Sequence, residues 1–323
     1  MKYLYTYNNY LIREGNNGIS PLVLKLTDKI IKKSSSKITK CKKFEIIIDN
    51  FEKKDKDQNL RINNLKVVFN YKEYKDNICN GICDTTNSSF NGNFLNDCII
   101  TLNIFYKEMD SDFIENIESI ISHEVLHLYQ NYNLMKNNKF KPESWSIGSI
   151  LPGFRKSFNE KYTQYLIDMI YISLSHEIYA QLQQYYYYKS KNKDYNKIFN
   201  IIKDMENFNI KSLNNIEEIE INFMKKYILK ALLNGKRNKK WINDVNKSIW
   251  NETDNQKFLQ KFKLLLDKKI NLIKREIKKV DNNFDIDYLT NEAMNTWTSL
   301  PTNFEIKDLP DNYKFQIELI DFL

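Results

Sequence analysis

His123-Glu124-Val125-Leu126-His127 is the stretch that decides this chain. Positions i and i+4 of a helix share a face, so the two imidazoles can reach one metal ion. Glu124 follows His123 directly, where its carboxylate can hold a metal-bound water and take its proton. The chain has 3 histidines, and two of them stand in this pentapeptide. The plain alternative is a pair of surface histidines on an ordinary helix. The flanking sequence speaks against it. Cys98-Ile99-Ile100-Thr101-Leu102-Asn103-Ile104-Phe105 reads as the strongest strand of the chain. Asp112, with Glu115 three residues later, then reads as a capping box that opens a helix. Phe113, Ile117, Ile120, Ile121 and Leu128 recur at helical spacing and mark its buried side. The pentapeptide is therefore expected on a helix that directly follows a strand.

Outward from this stretch, other helices and strands are expected on both sides. Leu22 to Lys33 has helical periodicity, and Phe44 to Ile48 and Leu65 to Phe69 read as strands. Residues 77–96, rich in Asn, Gly, Ser and Thr, read as a loop. Residues 135–157 carry Pro142, Gly148, Pro152 and Gly153 and read as a second, longer loop, a candidate lid. A long helix is expected from about Asn159 to Tyr187. Beyond a polar break at Lys189–Asp194 the chain is helical and lysine-rich, with Ile216–Leu233 and Phe258–Val280 the clearest amphipathic segments. The expected class is α+β, with a first domain over 1–190 and a helical domain or extension over 191–323.

Composition excludes several classes of function. With 42% hydrophobic residues in 323, the chain can bury one large core or two modest ones. Only 7 Gly and 5 Pro argue for long regular elements. The net charge of +8 comes from 49 basic and 41 acidic residues, a mixed and solvated surface with a basic bias. The lysine runs 29–43, 236–240 and 268–279 alternate with apolar residues, as the outer faces of packed elements do. No specific nucleic-acid motif is present, so a DNA-associated role has only the charge behind it. Four cysteines (Cys41, Cys79, Cys83 and Cys98) are too few for a disulfide scaffold and wrongly spaced for a zinc knuckle. Reduced thiols, no signal peptide at the start and no stretch of membrane-spanning length lead to the expectation of a cytoplasmic protein without a membrane partner.

A catalytic zinc takes three protein ligands and leaves one position open. His127 is followed by Leu128-Tyr129-Gln130, with no further histidine at the short spacing of HExxHxxGxxH. The expected second helix offers His176 and Glu177, about fifty residues downstream. Neighbours on a helix point about 100° apart, so only one of them is expected to face a metal. Glu292, in Asn291-Glu292-Ala293, is a remote further carboxylate.

At this point the sequence resembles the gluzincin zinc metallopeptidases, the thermolysin-like class. They pair HExxH on one helix with a Glu on a later helix, often with a small residue three positions on, and Glu177-Ile178-Tyr179-Ala180 fits that pattern. The resemblance is one of motifs, covers roughly residues 95–185 and identifies no subfamily. It implies a zincin-like domain: a small mixed sheet, an active-site helix and a third-ligand helix. It also implies Zn2+ held by His123, His127 and Glu177, with His176 the alternative third ligand, and Glu124 as the catalytic general base. Gln181 would take the place of an Asp that orients a ligand histidine in some members, and Tyr179 is one candidate for the oxyanion donor. The strand Cys98–Phe105 would be the edge strand along which an extended peptide pairs, making a protein or peptide the expected substrate. The alternative function is a catalytically silent zincin-fold structural or interaction protein in a larger assembly, such as a viral one. Substrate specificity and oligomeric state are not legible.

Overall fold

The computed structural model of the chain describes residues 21–55, 58–85, 87–136, 175–191, 197–207 and 252–280, with isolated positions between them. Among the described residues it is a mixed α and β structure with one six-stranded mixed sheet and five helices. The helices are α1 (Pro21–Ile38), α2 (Ser111–Lys136), α3 (Ser175–Ser190), α4 (Lys197–Glu206) and α5 (Asn255–Val280). The chain forms two compact units, residues 1–144 with 179–195 and residues 145–178 with 196–323. Helix α3 runs across that division, with the larger part of its length in the first unit.

In the first unit, two long strands, β3 (Gln58–Glu73) and β6 (Phe94–Tyr106), run parallel at the centre of the sheet. Short antiparallel strands flank them. β1 (Phe44–Ile48) and β2 (Phe51–Asp55) lie along β3, and β4 (Ile78–Asp84) and β5 (Ser89–Asn91) along β6. The order is β1-β3-β6-β4, so β6 is a central strand and not the expected edge. Its apolar run explains why: a strand with neighbours on both sides and a helix above it buries nearly every second residue. The edge is β4, inside the segment read as a loop. Asn80 and Gly81 at its middle hide the alternation that would have marked it as a strand.

The central strands share one irregularity. Burial alternates through Leu60 and Ile62, then resumes at Leu65, Val67 and Phe69; in β6 it passes from Leu95 to Cys98, Ile100, Leu102 and Ile104. The extra residues, Asn64 (φ 54°) and Asp97 (φ 59°), adopt the left-handed conformation that Asn and Asp tolerate best. Because both strands bulge at the same level, pairing resumes in step, Leu65 against Cys98, and one face stays apolar throughout.

Helices α1 and α2 pack on that face, α1 over β1, β2 and β3 and α2 over β4 and β6. α2 buries Phe113, Ile117, Ile120, Ile121 and Leu128 as its periodicity predicts, and Val125, Tyr129 and Tyr132 besides. Its cap differs from the expected one. Phe113 N–H donates to Asp110 Oδ1 at 2.7 Å and Ile114 N–H to Asp110 O at 3.1 Å, so Asp110 rather than Asp112 opens the helix. In the second unit, α5 buries Phe258, Leu259, Phe262, Leu266, Ile270, Ile273 and Ile277 along one stripe. Lys263 Nζ donates to the last carbonyls of α4, Met205 O (2.9 Å) and Glu206 O (3.0 Å), closing its C-terminus.

The expected helices and strands at 22–33, 44–48, 65–69, 98–105 and 258–280 are all present. Of the helix expected from about Asn159 to Tyr187, the part from Ser175 is present, and residues 159–174 lie outside the described residues apart from single positions. The expected segment Ile216–Leu233, Glu292 and the candidate lid beyond Lys136 lie outside the described residues, apart from single positions. None of the four cysteines is in a disulfide, and no described helix is long and apolar enough to cross a membrane.

Candidate metal centre

His123 and His127 sit in the middle of α2, one turn apart, with Nε2 of each 3.1 Å from the other. The second ring nitrogen of His127, Nδ1, meets Gln130 Oε1 at 3.1 Å. A carboxamide oxygen can only accept, so Nδ1 carries the proton and Nε2 presents its lone pair. Gln130, three residues on from His127, is a site residue the sequence reading passed over. It stands in the sequence as a polar residue one turn beyond His127, at a spacing that puts both on one helix face.

Glu177 stands in the first turn of α3. Its carboxylate and the two imidazoles have their ligand atoms all within 4.8 Å of one another, a group that could hold a metal ion. His123 is 9% exposed, Glu124 5% and Glu177 4%, so the group lies where charged side chains pair or coordinate a cation. The side chain of His176 lies outside the described residues. Tyr179 is buried, two helical positions on from Glu177.

The position of Glu177 follows from how its helix is held. Ala180 is fully buried, and Gln183 and Gln184 reach Ser122 and Ser119 on α2, both fully buried as well. Small side chains at these three positions let the helices approach closely. Since later residues of α3 meet earlier ones of α2, the pair is antiparallel, and Glu177 falls at the level of the histidines.

On the opposite flank the edge strand β4 presses on Glu124. A Cβ built at Gly81 would lie 2.5 Å from both Cγ and Oε1 of Glu124. A larger residue there would force Glu124 to shift, and glycine inside a strand marks such close approach. Cys83, two residues on, shares this face; burial, and after it the charge of Glu124, push its thiol well above the usual range. Gly81 thus lines the candidate site from β4, a strand whose composition, rich in Asn and Gly, resembles a loop.

The chain matches no family model, no curated protein and no solved structure.

Proposed function

We propose that the chain is a metal-dependent hydrolase of the zincin type. More narrowly, we infer a zinc peptidase of gluzincin kind, with His123, His127 and Glu177 as ligands and Glu124 as general base. The observation that carries this reading is the convergence of three ligand atoms within 4.8 Å. The donor set suits zinc: two imidazoles and one carboxylate leave a fourth position open. At bond lengths of about 2.05 Å, two tetrahedral ligands lie about 3.3 Å apart, close to the 3.1 Å between the two Nε2 atoms. With His127 protonated at Nδ1, its Nε2 lone pair and that of His123 can share one cation.

Zinc in this group would supply Lewis acidity, enough to bring a water's pKa to about 7 and to polarise a carbonyl. The chain's own residues would do the rest. Glu124 takes the proton of the attacking water and delivers it to the leaving amine. Burial of its carboxylate between α2 and β4 holds it in place. An extended peptide pairs along the free side of β4, where no described strand competes, and its scissile bond then lies beside Glu124.

The test is zinc content per chain, followed by cleavage of a mixed-sequence fluorogenic peptide pool. We expect one zinc in the wild type, lost in Glu177→Ala and kept in His176→Ala. Glu124→Gln should keep the metal and lose about 10²–10⁴-fold in rate. Absence of zinc after reconstitution refutes the metal site. Full zinc without cleavage of any pool refutes the peptidase and leaves an interaction protein.

A further inference from the structure

Six positions at the α2–α3 interface are polar where helices of this length usually place leucine and isoleucine. Gln183 Nε2 donates to Ser122 Oγ (3.5 Å), Gln184 Nε2 to Ser119 Oγ (3.3 Å), and Tyr187 OH to Glu118 Oε2 (2.7 Å). Ser119, Ser122, Gln183, Gln184 and Tyr187 are all buried. Ser119 Oγ also donates to Asn116 O at 2.8 Å, so its proton is committed and its lone pair is what Gln184 meets. The rungs run in order, each later residue of α3 meeting an earlier one of α2. The two serine rungs are long bonds that stabilise little. A buried polar set of this kind is better suited to fixing one register than to adding stability, because a slipped helix would strand its carboxamides and hydroxyl in an apolar interior.

The spacing ties these rungs to the metal group. From Gln184 back to Glu177 is seven residues, a rise of about 10.5 Å. From Ser119 forward to the two histidines is four and eight residues, about 6 and 12 Å. The rung at Ser119–Gln184 therefore sets Glu177 between the levels of the two histidines, nearer to that of His127. A slip of one turn, about 5.4 Å, would carry the carboxylate far outside a bond of about 2 Å.

We propose that the buried polar ladder Ser122–Gln183, Ser119–Gln184, Glu118–Tyr187 is a register device, whose residues act as positioning residues that hold Glu177 opposite His123 and His127. This rests on the metal site proposed above. Its test uses the full-length chain in three forms: wild type, Ser119→Ala with Gln184→Leu, and Tyr187→Phe, which removes a single hydroxyl. Zinc affinity is measured by chelator competition, the geometry by the visible spectrum of the Co2+ form, and folding by the melting temperature of the metal-free chain. Zinc affinity should fall about 10-fold in Tyr187→Phe and about 100-fold in the double variant. The intense bands of tetrahedral Co2+ should weaken with it, while the metal-free melting temperature holds or rises. Wild-type affinity and spectrum in both variants overturn the ladder and leave the metal site standing. A melting temperature that falls in step with affinity also overturns it, since the residues would then be merely structural. A wild type that binds no zinc overturns ladder and site together. If the double variant does not fold, Tyr187→Phe decides the question alone.

Discussion

Gly81→Ala is the perturbation that bears most directly on how the edge strand and the general base fit together. The new methyl carbon would meet Cγ and Oε1 of Glu124 at 2.5 Å, against ordinary contacts from 3.4 Å upward. Either the strand or the carboxylate must therefore give by about an ångström. The strand is held by its full ladder to β6, from Ile78–Phe105 to Asp84–Ile99, whereas the atoms of Glu124 that it would meet lie towards the end of a flexible side chain. The carboxylate should move. A misplacement of about 1 Å costs about 10²-fold in rate, equivalent to about 2.7 kcal/mol of transition-state stabilisation. The overpacking itself should cost about 1–3 kcal/mol of stability or less, seen as a drop of a few degrees in melting temperature. The three atoms nearest the new carbon all belong to Glu124 and none to an imidazole, so zinc content should remain at one per chain. The added carbon points to the helix rather than along the sheet edge, so the loss should fall on kcat and spare KM. The assay is steady-state cleavage of a peptide that the wild type turns over, with zinc measured on the same samples. Wild-type kcat in Gly81→Ala would refute the reasoning, as would loss of zinc in parallel with activity.

Three further outcomes follow from the packing. Gln130→Met removes the acceptor at His127 Nδ1, so zinc affinity by chelator competition should fall about 10–100-fold; equal affinity would show that the ring needs no such partner. Asp110→Ala should lower stability by about 1 kcal/mol, because Asp110 caps α2; Asp112→Ala should have little effect, and the reverse ranking in thermal melts would restore Asp112 as the cap. Burial pushes the Cys98 thiol up to about 12, partly offset by its hydrogen bond to Ser88. The unfolded chain ionises this thiol from about pH 8.5, so the folded state loses stability as pH rises from there towards 12. The slope is about 1.4 kcal/mol per pH unit. Urea midpoints between pH 8 and 10.5 should fall more steeply for wild type than for Cys98→Ala, and parallel curves would refute the assignment.

What was legible in the sequence was what the chain encodes over a few residues. The four-residue step between His123 and His127 needs only a helix, and α2 is marked by its own apolar stripe. The three strands read from apolar runs were all present, though each central strand extends well past the run that signalled it. The strands β4 and β5 were not legible because their identity comes from pairing with β6, not from composition. β4 carries Asn80 opposite Asn103 on the more open face of the sheet and Gly81 on the helix face, so neither face shows the usual alternation. The strength of the Cys98–Phe105 run argues for a central position, since an edge strand has one flank to blunt and rarely affords so many apolar residues. The cap was misplaced by two residues, the usual slack when two aspartates precede one helix.

The remaining pieces of the site were written in the sequence as small side chains, which hydrophobic patterning passes over. Helix α2 supplies its histidines and Glu124 by itself, but their partners must approach from two sides. On one side Gly81 lacks the Cβ that would collide with Glu124. On the other, Ser119, Ser122 and Ala180 are fully buried at the crossing with α3. Replacing any of them by leucine would strengthen the apparent apolar stripe and push the neighbouring backbone away. An HExxH helix serves a metal only if a third ligand and a sheet edge can come within a few ångströms of it. The sequence feature that separates such a helix from a chance match is therefore a set of gaps around the motif, at the right helical and strand spacing. In this chain the gaps lie on both flanks. That makes Gly81 and Ala180 as informative about the proposed chemistry as the histidines themselves.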